Sequence, residues 1–290
     1  MAAVALARPW AARVRLGRVA ARAAVLGALS VGAVLMAAPF LWLLSSALKD
    51  PSKIWLFPPQ WIPNPVRWSN FAEALTSAPF PTYARNTLVI VLANEVGVLA
   101  SASLAAYGFA RLRFPGRDLI FMVLLSTIML PWAVVMVPNY IIFRQLGWLD
   151  TPLPLIVPHW FGGGPFYIFL LRQFFRTLPA DLSDAARIDG CGELGIYARI
   201  ILPLAKSALA AVAIFVFLQH WNDFMAPLIY LSKPSNLTLS LGLAAFRDVY
   251  STQWHYLMAA SVVVVIPSVL VFFFAQRHFV QGIAMTGMRA

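Results

Sequence analysis

Six long apolar stretches dominate this chain, and they restrict its fold more than any other feature. A helix that crosses the hydrocarbon core of a bilayer needs about 20 consecutive apolar residues. Of the 290 residues, 61% are hydrophobic and only 11% are charged, whereas soluble domains are nearer half apolar and a quarter charged. The sequence therefore predicts an all-α integral membrane protein with six transmembrane helices, at Ala23–Leu48, Thr87–Ala110, Leu119–Phe143, Leu153–Leu171, Ala205–Leu231 and Tyr256–Ala275.

Arginine and lysine are unevenly distributed among the segments that connect these stretches. If the N-terminus lies inside, about two thirds of the 22 basic residues fall in cytoplasmic segments, which favours both termini inside. The predicted parts are a cytoplasmic N-terminal segment 1–22, a six-span membrane domain 23–280 with a cytoplasmic loop 175–204, and a cytoplasmic tail 281–290. These basic flanks account for the net charge of +11, so we expect the chain to contact lipid and not nucleic acid.

The fourth stretch, "TPLPLIVPHWFGGGPFYIF", carries four prolines and three consecutive glycines. A regular helix through its centre is not expected, because both residue types disfavour helix interiors. Irregular backbone at membrane depth is tolerated only inside protein or beside a water-filled cavity. Two interpretations stay open: a hinge or path element, or a helix that begins late, near Pro165, after a surface loop.

The cytoplasmic loop contains two predicted helices separated by a glycine turn. The first begins near Asp181 and ends before Gly190, since acidic residues suit a helix N-terminus and glycine suits the position after its end. The second runs from Glu193, and Pro203 marks a bend into the fifth span. Its predicted apolar face has helical spacing and consists of Tyr197, Ile200, Ile201 and Leu204.

Small side chains on the first of these helices suggest a docking surface. Ala185 and Ala186 would permit close approach by a partner, and flanking charges on Asp184, Arg187 and Asp189 could orient it. The alternative is an ordinary amphipathic linker that lies on the lipid headgroups.

The loop resembles the "EAA" loop of bacterial ABC importer permeases. That motif reads EAA, three residues, G, nine residues, I-x-L-P, and every spacing agrees here. Asp184 replaces the glutamate, which keeps the charge and shortens the side chain by one methylene. The other matching positions are Ala185, Ala186, Gly190, Ile200, Leu202 and Pro203.

Further segments resemble the carbohydrate-uptake, MalG-like members of this family. These are "PFLWLLSSALKDPSKIW", "WNDFMAPLIYL" with "LTLSLGLAAF", and "QRHFVQGIAMTGMRA". The resemblance implies a permease subunit in a bacterial plasma membrane, whose loop 175–204 is a coupling helix for an ATPase. It implies a sugar or oligosaccharide as solute. It also implies a second permease subunit, two ATPase subunits and an extracytoplasmic solute-binding protein as partners.

The chain contains no G-x-x-x-x-G-K-[ST] phosphate loop. We therefore expect no catalytic residue, metal or cofactor in this chain, and we expect ATP and Mg²⁺ on the partner ATPase subunits. A secondary sugar transporter also lacks this motif, but it should show an internal repeat and an ion site. A membrane scaffold without transport is a third possibility, and both alternatives treat the loop motif as chance.

Ionisable residues inside spans are costly and usually face the protein interior. Glu95 and Asp223 both lie roughly 12 Å below the outer boundary, at 1.5 Å per residue. Neighbouring polar groups could line the outer half of a solute path with them, or could be hydrogen-bonding contacts between helices. These neighbours are Asn94, Asn222 and His220.

Overall fold

The computed structural model describes the backbone of residues 8–247 and 252–287, and side chains from 21 to 247 and from 252 to 274. Parts of the predicted segment 1–22 and tail 281–290 therefore lie outside the described residues. The described chain is helical and contains no β-strand. It divides into two compact units, one of residues 1–72 with 253–262, the other of residues 73–252 with 263–290.

Fourteen α-helices are present in the described chain. They are α1 Arg8–Ala47, α2 Ser69–Thr76, α3 Phe80–Arg111, α4 Arg117–Ser126, α5 Trp132–Gln145, α6 Leu153–Ile156, α7 Pro165–Thr177, α8 Asp181–Ile188, α9 Glu193–Ile196, α10 Leu202–Leu204, α11 Lys206–Trp221, α12 Met225–Tyr230, α13 Leu239–Ala244 and α14 Trp254–Gly287.

The predicted number of spans agrees with the helices that are long and apolar enough to cross a bilayer. Four such stretches are Ala21–Ala47, Phe80–Arg111, Leu153–Thr177 and Trp254–Phe274. Two bent pairs, α4 with α5 and the α9–α10 segment with α11, raise the number to six if each pair counts as one span. The all-α membrane fold is thus confirmed.

The smaller unit is built on α1, whose apolar window is nowhere buried inside the chain. Beyond its end, Asn70 donates hydrogen bonds of 2.9 Å to the carbonyl oxygens of Ala47 and Lys49. The Lys49 ammonium lies 3.7 Å from the centroid of the Trp42 ring, a cation–π contact. These contacts fix the exit of the chain from α1.

The larger unit is organised around α3, which packs against α7 and α11. Small residues on α3, such as Ala102 and Ala106, are fully buried and allow close approach of the neighbouring helices. Leu171 and Phe175 of α7 and Val212 of α11 complete the same apolar core.

The third predicted span is not one helix, and this corrects the expectation for Leu119–Phe143. Helices α4 and α5 meet at an angle of 98°. Pro131 precedes α5, and Leu130 before it is extended, with φ −76° and ψ 112°. A residue before proline is disfavoured in the helical region, so the helix cannot continue through this point.

The fifth predicted span is also interrupted, because α11 ends at Trp221 and α12 begins at Met225.

The fourth span is broken at its glycines. Helix α7 begins at Pro165, as one of the two interpretations has it, and Gly162, Gly163 and Gly164 all have positive φ. The preceding segment is not a free surface loop, because Trp160 donates a 3.1 Å hydrogen bond to the Ala93 carbonyl and the Gly162 amide donates to Ser101. A Cβ on Gly163 would overlap the Val98 side chain. The break is thus held closely against α3.

Candidate functional site

The motif loop, residues 175–204, begins with α8, whose bounds follow the predicted signals. Asp181 and Asp184 occupy its first turn, where negative charge is favourable. After its end, Gly190 adopts φ +80°, and the Cys191 amide donates a 2.8 Å hydrogen bond to the Ala186 carbonyl. The left-handed glycine closes the helix and turns the chain.

The two faces of α8 differ in burial. Ser183 and Ala186 face inward, and Ala186 joins the apolar core of the larger unit. The opposite side is exposed and apolar at helical spacing, and we call it the outward patch: Leu182, Ala185 and Ile188. The two alanines of the expected docking surface therefore differ in burial: Ala185 is exposed, whereas Ala186 is packed at the core, because consecutive residues of a helix point about 100° apart.

Arg187 connects the two arms of the motif loop. Its guanidinium lies 2.7 Å from Asp184 Oδ1 and 2.8 Å from Glu193 Oε1. This cation, together with a hydrogen bond from Tyr107, holds the pKa of the Glu193 carboxyl below its ordinary range. Asp189 is exposed and makes no ion pair within the described part of the chain. Asp184 and Arg187 therefore stabilise the loop itself, in addition to any contact with a partner.

A polar chain then links the motif loop to α3. The Tyr107 hydroxyl donates a 2.5 Å hydrogen bond to Glu193 Oε2. The rings of Tyr107 and Tyr197 lie 5.4 Å apart, and the Tyr197 and Ser103 hydroxyls are 2.7 Å apart. Arg111 adds 2.8 Å hydrogen bonds to the carbonyl oxygens of Phe175 and Leu178. Both ends of the loop are therefore attached to the same helix.

The second arm differs from the predicted regular helix. Residues Tyr197–Ile201 form a π-helix between α9 and α10, so inward positions recur five residues apart in place of three or four. Ile196 and Ile201 are fully buried, whereas Leu204 is exposed. The predicted face of Tyr197, Ile200, Ile201 and Leu204 is thus wrong in part.

The end of the motif lies where the second arm turns. Ile200 and Leu202 are half-buried, and Pro203 is exposed. The arm and α11 meet at 80°. Ala205, with φ −97° and ψ 14°, forms the corner. The bend predicted at Pro203 is therefore present, two residues further on.

A cavity of about 240 Å³ lies away from the motif loop, in the same unit. It brings together His220 and Asp223, two of the predicted path residues. The imidazole rings of His159 and His220 lie 4.5 Å apart and nearly perpendicular. His220 is 94% buried, and its Nε2 atom has no hydrogen-bond partner among the described residues. Trp132 and Gln219 complete the polar and aromatic part of the lining.

Three other predicted path residues do not line this cavity. Asn94 is fully buried and donates a 2.8 Å hydrogen bond to the Leu155 carbonyl, a contact between helices. Glu95 is half-buried on α3 and interacts electrostatically with Tyr167. Asn222 is exposed and donates to the Leu218 carbonyl of its own helix. None of these three belongs to the lining that His220 and Asp223 share.

Sequence reasoning missed His159, Gln219, Trp132 and the link between Tyr107 and Glu193. His159 lies beside the glycine run, so the expected break in the fourth span was a signal for it. Trp132 follows Pro131, whose effect on the third span was not anticipated. The tyrosine link has no local signal, because its two residues are 86 positions apart.

The arrangement of helices is similar to that of known importer permeases. One similar chain comes from a crystal structure of a bacterial ABC transporter involved in the import of the acidic polysaccharide alginate, with a TM-score of 0.79 and 22% identity, covering 91% of this chain and 98% of that chain. A second comes from the alginate transporter in complex with a periplasmic protein bound to an alginate pentasaccharide, with a TM-score of 0.68 and 13% identity, covering 90% and 96%. At these identities the likeness concerns the fold.

Curated relatives are similar over most of the chain. The diacetylchitobiose uptake system permease protein NgcG of Streptomyces coelicolor is 35% identical over 88% of this chain and 85% of that protein. The sn-glycerol-3-phosphate transport system permease protein UgpE of Yersinia enterocolitica is 34% identical over 88% and 93%. The arabinooligosaccharides transport system permease protein AraQ of Halalkalibacterium halodurans is 35% identical over 78% and 81%.

The family model for the binding-protein-dependent transport system inner membrane component matches residues 97–285. This range includes the motif loop, the cavity and most of the larger unit. The apolar helices described above agree with a protein that crosses the inner membrane several times. The chain therefore belongs to the family of binding-protein-dependent transport system inner membrane components, as a permease.

Proposed function

We propose that this permease couples ATP hydrolysis on two separate ATPase subunits to the import of a sugar or oligosaccharide, which an extracytoplasmic binding protein delivers. The observation that carries the proposal is the outward patch on α8. Ile188 is 87% exposed and Leu182 is 42% exposed on a helix that is firmly attached to α3. Exposed apolar side chains on a rigid projecting element are typical of a protein–protein contact.

The attachment explains how force would be transmitted. When the ATPase subunits close on ATP, α8 moves with the surface that holds it. The hydrogen bonds of Arg111 and Tyr107 pass this displacement to α3, which packs on α7 and α11. A rigid-body movement of these helices would change access to the cavity from one side of the membrane to the other. The chain itself supplies no hydrolytic group in this scheme.

The remaining partners are assigned by the same reasoning. The ATPase subunits are cytoplasmic, so the motif loop and both termini lie on the cytoplasmic side, which agrees with the distribution of basic residues. The apolar window of α1 is unburied within the chain and would face lipid or a second permease subunit. A heterodimer with a second, different permease chain is part of the proposal because the resemblance to carbohydrate-uptake permeases implies it.

Site-directed cross-linking tests the ATPase contact. Cys191 is the only natural cysteine, so a Cys191→Ser background permits single reporters. We expect Ile188→Cys to cross-link to the ATPase subunit in membranes, and the inward position Ser183→Cys to give no product. Equal cross-linking at both positions, or none at Ile188 in a complex that still hydrolyses ATP, would reject the proposed contact.

A further inference from the structure

The cavity between α5, α11 and the break in the fourth span carries chemistry that the proposed function does not yet specify. Its lining includes the carboxylate of Asp223, the amide of Gln219, two imidazoles and the indole of Trp132. No lysine or arginine belongs to this lining, within the part of the chain that the structure describes. Its volume of about 240 Å³ is below the roughly 300–1,000 Å³ of pockets for drug-sized ligands, which suits one ring or a short segment of a larger solute.

One histidine of the lining has an unsatisfied hydrogen-bonding atom. His220 is 94% buried, yet its Nε2 atom has no partner among the described residues. Buried polar atoms without partners are rare and costly. His220 lines the cavity, but neighbouring atoms close off Nε2 itself, so a solute hydroxyl would bond to it only after the imidazole turns toward the cavity.

The other polar groups offer both donors and acceptors. Gln219 Oε1 accepts a 2.5 Å hydrogen bond from the Tyr167 hydroxyl, which leaves the amide nitrogen of Gln219 as a donor. Asp223 Oδ1 accepts a 3.3 Å bond from the Ala226 amide, and its carboxylate retains further acceptor capacity. Trp132 supplies an aromatic surface for the apolar C–H face of a ring.

The charge of the lining opposes an anionic solute. Phosphates and carboxylates are bound in proteins mainly by arginine, lysine or helix N-termini. The two imidazole rings lie only 4.5 Å apart, so repulsion disfavours protonation of both. Asp223 adds a negative charge at the same wall. The electrostatic balance thus favours a neutral solute.

We propose that this cavity is a subsite for a neutral, hydroxyl-rich ring of the transported saccharide, with His220, Gln219 and Asp223 as its hydrogen-bonding groups. The inference rests on the proposed import function and restricts it, because two of the solute classes named for relatives, glycerol phosphate and alginate, are anionic.

Histidine footprinting tests the subsite directly. The intact complex of permease, ATPase and binding protein is treated with diethyl pyrocarbonate in the presence of diacetylchitobiose, an arabino-oligosaccharide or sn-glycerol-3-phosphate. Modification of His159, which is partly exposed beside the buried His220, is followed by mass spectrometry. We expect at least one neutral saccharide to reduce modification several-fold and the phosphate to have no effect. Protection by sn-glycerol-3-phosphate alone, or no protection by any neutral saccharide, would overturn the subsite.

Uptake into proteoliposomes separates this inference from the proposed function. We expect Asp223→Asn and His220→Gln to raise the KM for the neutral saccharide about tenfold, while ATPase association stays unchanged. Asn222→Gln is the matched control, because Asn222 is outside the cavity lining and its side chain, among the residues that the structure describes, bonds to its own helix. Unchanged KM in both variants refutes the subsite and leaves the import function intact, whereas a complex without an ATPase subunit or ATP-dependent uptake refutes the import function itself.

Discussion

The Tyr107 hydroxyl donates a 2.5 Å hydrogen bond to the Glu193 carboxylate, and this contact joins the motif loop to α3. Glu193 also accepts from Arg187, so the side chains of Arg187, Glu193 and Tyr107 form a hydrogen-bonded link from α8 to α3. A movement of the motif loop would therefore be transmitted through this contact to α3 and the helices packed on it.

Tyr107→Phe should weaken transmission without preventing assembly. The change removes one hydrogen bond to a carboxylate, a loss of about 1 kcal/mol in local stability. We expect faster amide hydrogen exchange across Glu193–Ile201 and a several-fold lower ratio of solute transported to ATP hydrolysed. Tyr140→Phe is the control, since Tyr140 lies exposed on α5. Equal exchange and equal coupling in both variants would contradict the proposed link.

Arginine at Ala185 should prevent association with the ATPase subunit, whereas arginine at Ala186 should destabilise the fold. Ala185→Arg puts a long cation on the outward patch, and we expect a folded protein that no longer co-purifies with the ATPase subunit. Ala186→Arg forces an unpaired charge toward the apolar core and should destabilise the fold by at least about 3 kcal/mol. Thermal unfolding in detergent and pull-down of the ATPase distinguish the two. If Ala185→Arg retained full association, the outward patch would not be the docking surface.

Gly163→Ala should be strongly destabilising. The position has φ +65°, and a Cβ there would overlap Val98, so strain and overpacking of about 1–3 kcal/mol are expected. Gly108→Ala is the matched substitution, because no atom lies within 4 Å of its added Cβ. Gly108 lies in the last turn of α3, so that change should stabilise by at most about 0.5–1 kcal/mol, the cost of glycine in a helix interior. Similar melting temperatures for both variants would show that the glycine break is not tightly packed.

Acid should abolish the contribution of the Asp150 carboxylate to the stability of the folded protein. This carboxylate accepts hydrogen bonds from the Ser232 hydroxyl and from the Ser232 and Lys233 amides, and these contacts lower its pKa. Because the pKa of Asp150 is lower in the folded protein than its ordinary value of 3.8, the charged carboxylate stabilises the fold at any pH above 3.8. This stabilisation is lost as the pH falls through the pKa of the folded protein. Asp150→Asn should therefore melt lower than the natural protein at pH 7, and the difference should shrink below about pH 4. A difference independent of pH would assign the effect to packing.

The sequence predicted the helical membrane fold because the length and spacing of its apolar stretches are enough to identify membrane-spanning helices. It predicted α8 and its glycine turn because the capping signals at Asp181 and Gly190 are local. It did not predict the 98° bend before Trp132, since a proline inside an apolar stretch is often tolerated in membrane helices. The π-turn at Tyr197–Ile201 and the inward position of Ala186 depend on packing at the core of the larger unit, which no local pattern records. The pairing of His159 with His220 is likewise a tertiary contact.

The three glycines before α7 have a consequence for how substitutions in this chain should be interpreted. Their φ values of 97°, 65° and 127° are accessible to few residues other than glycine. In a saturation mutagenesis screen, codons 162 to 164 should therefore form a short tract with almost no viable replacements, between neighbours that accept many apolar alternatives. That tract would look like a solute-recognition motif, although its intolerance arises from backbone torsion and not from contact with cargo.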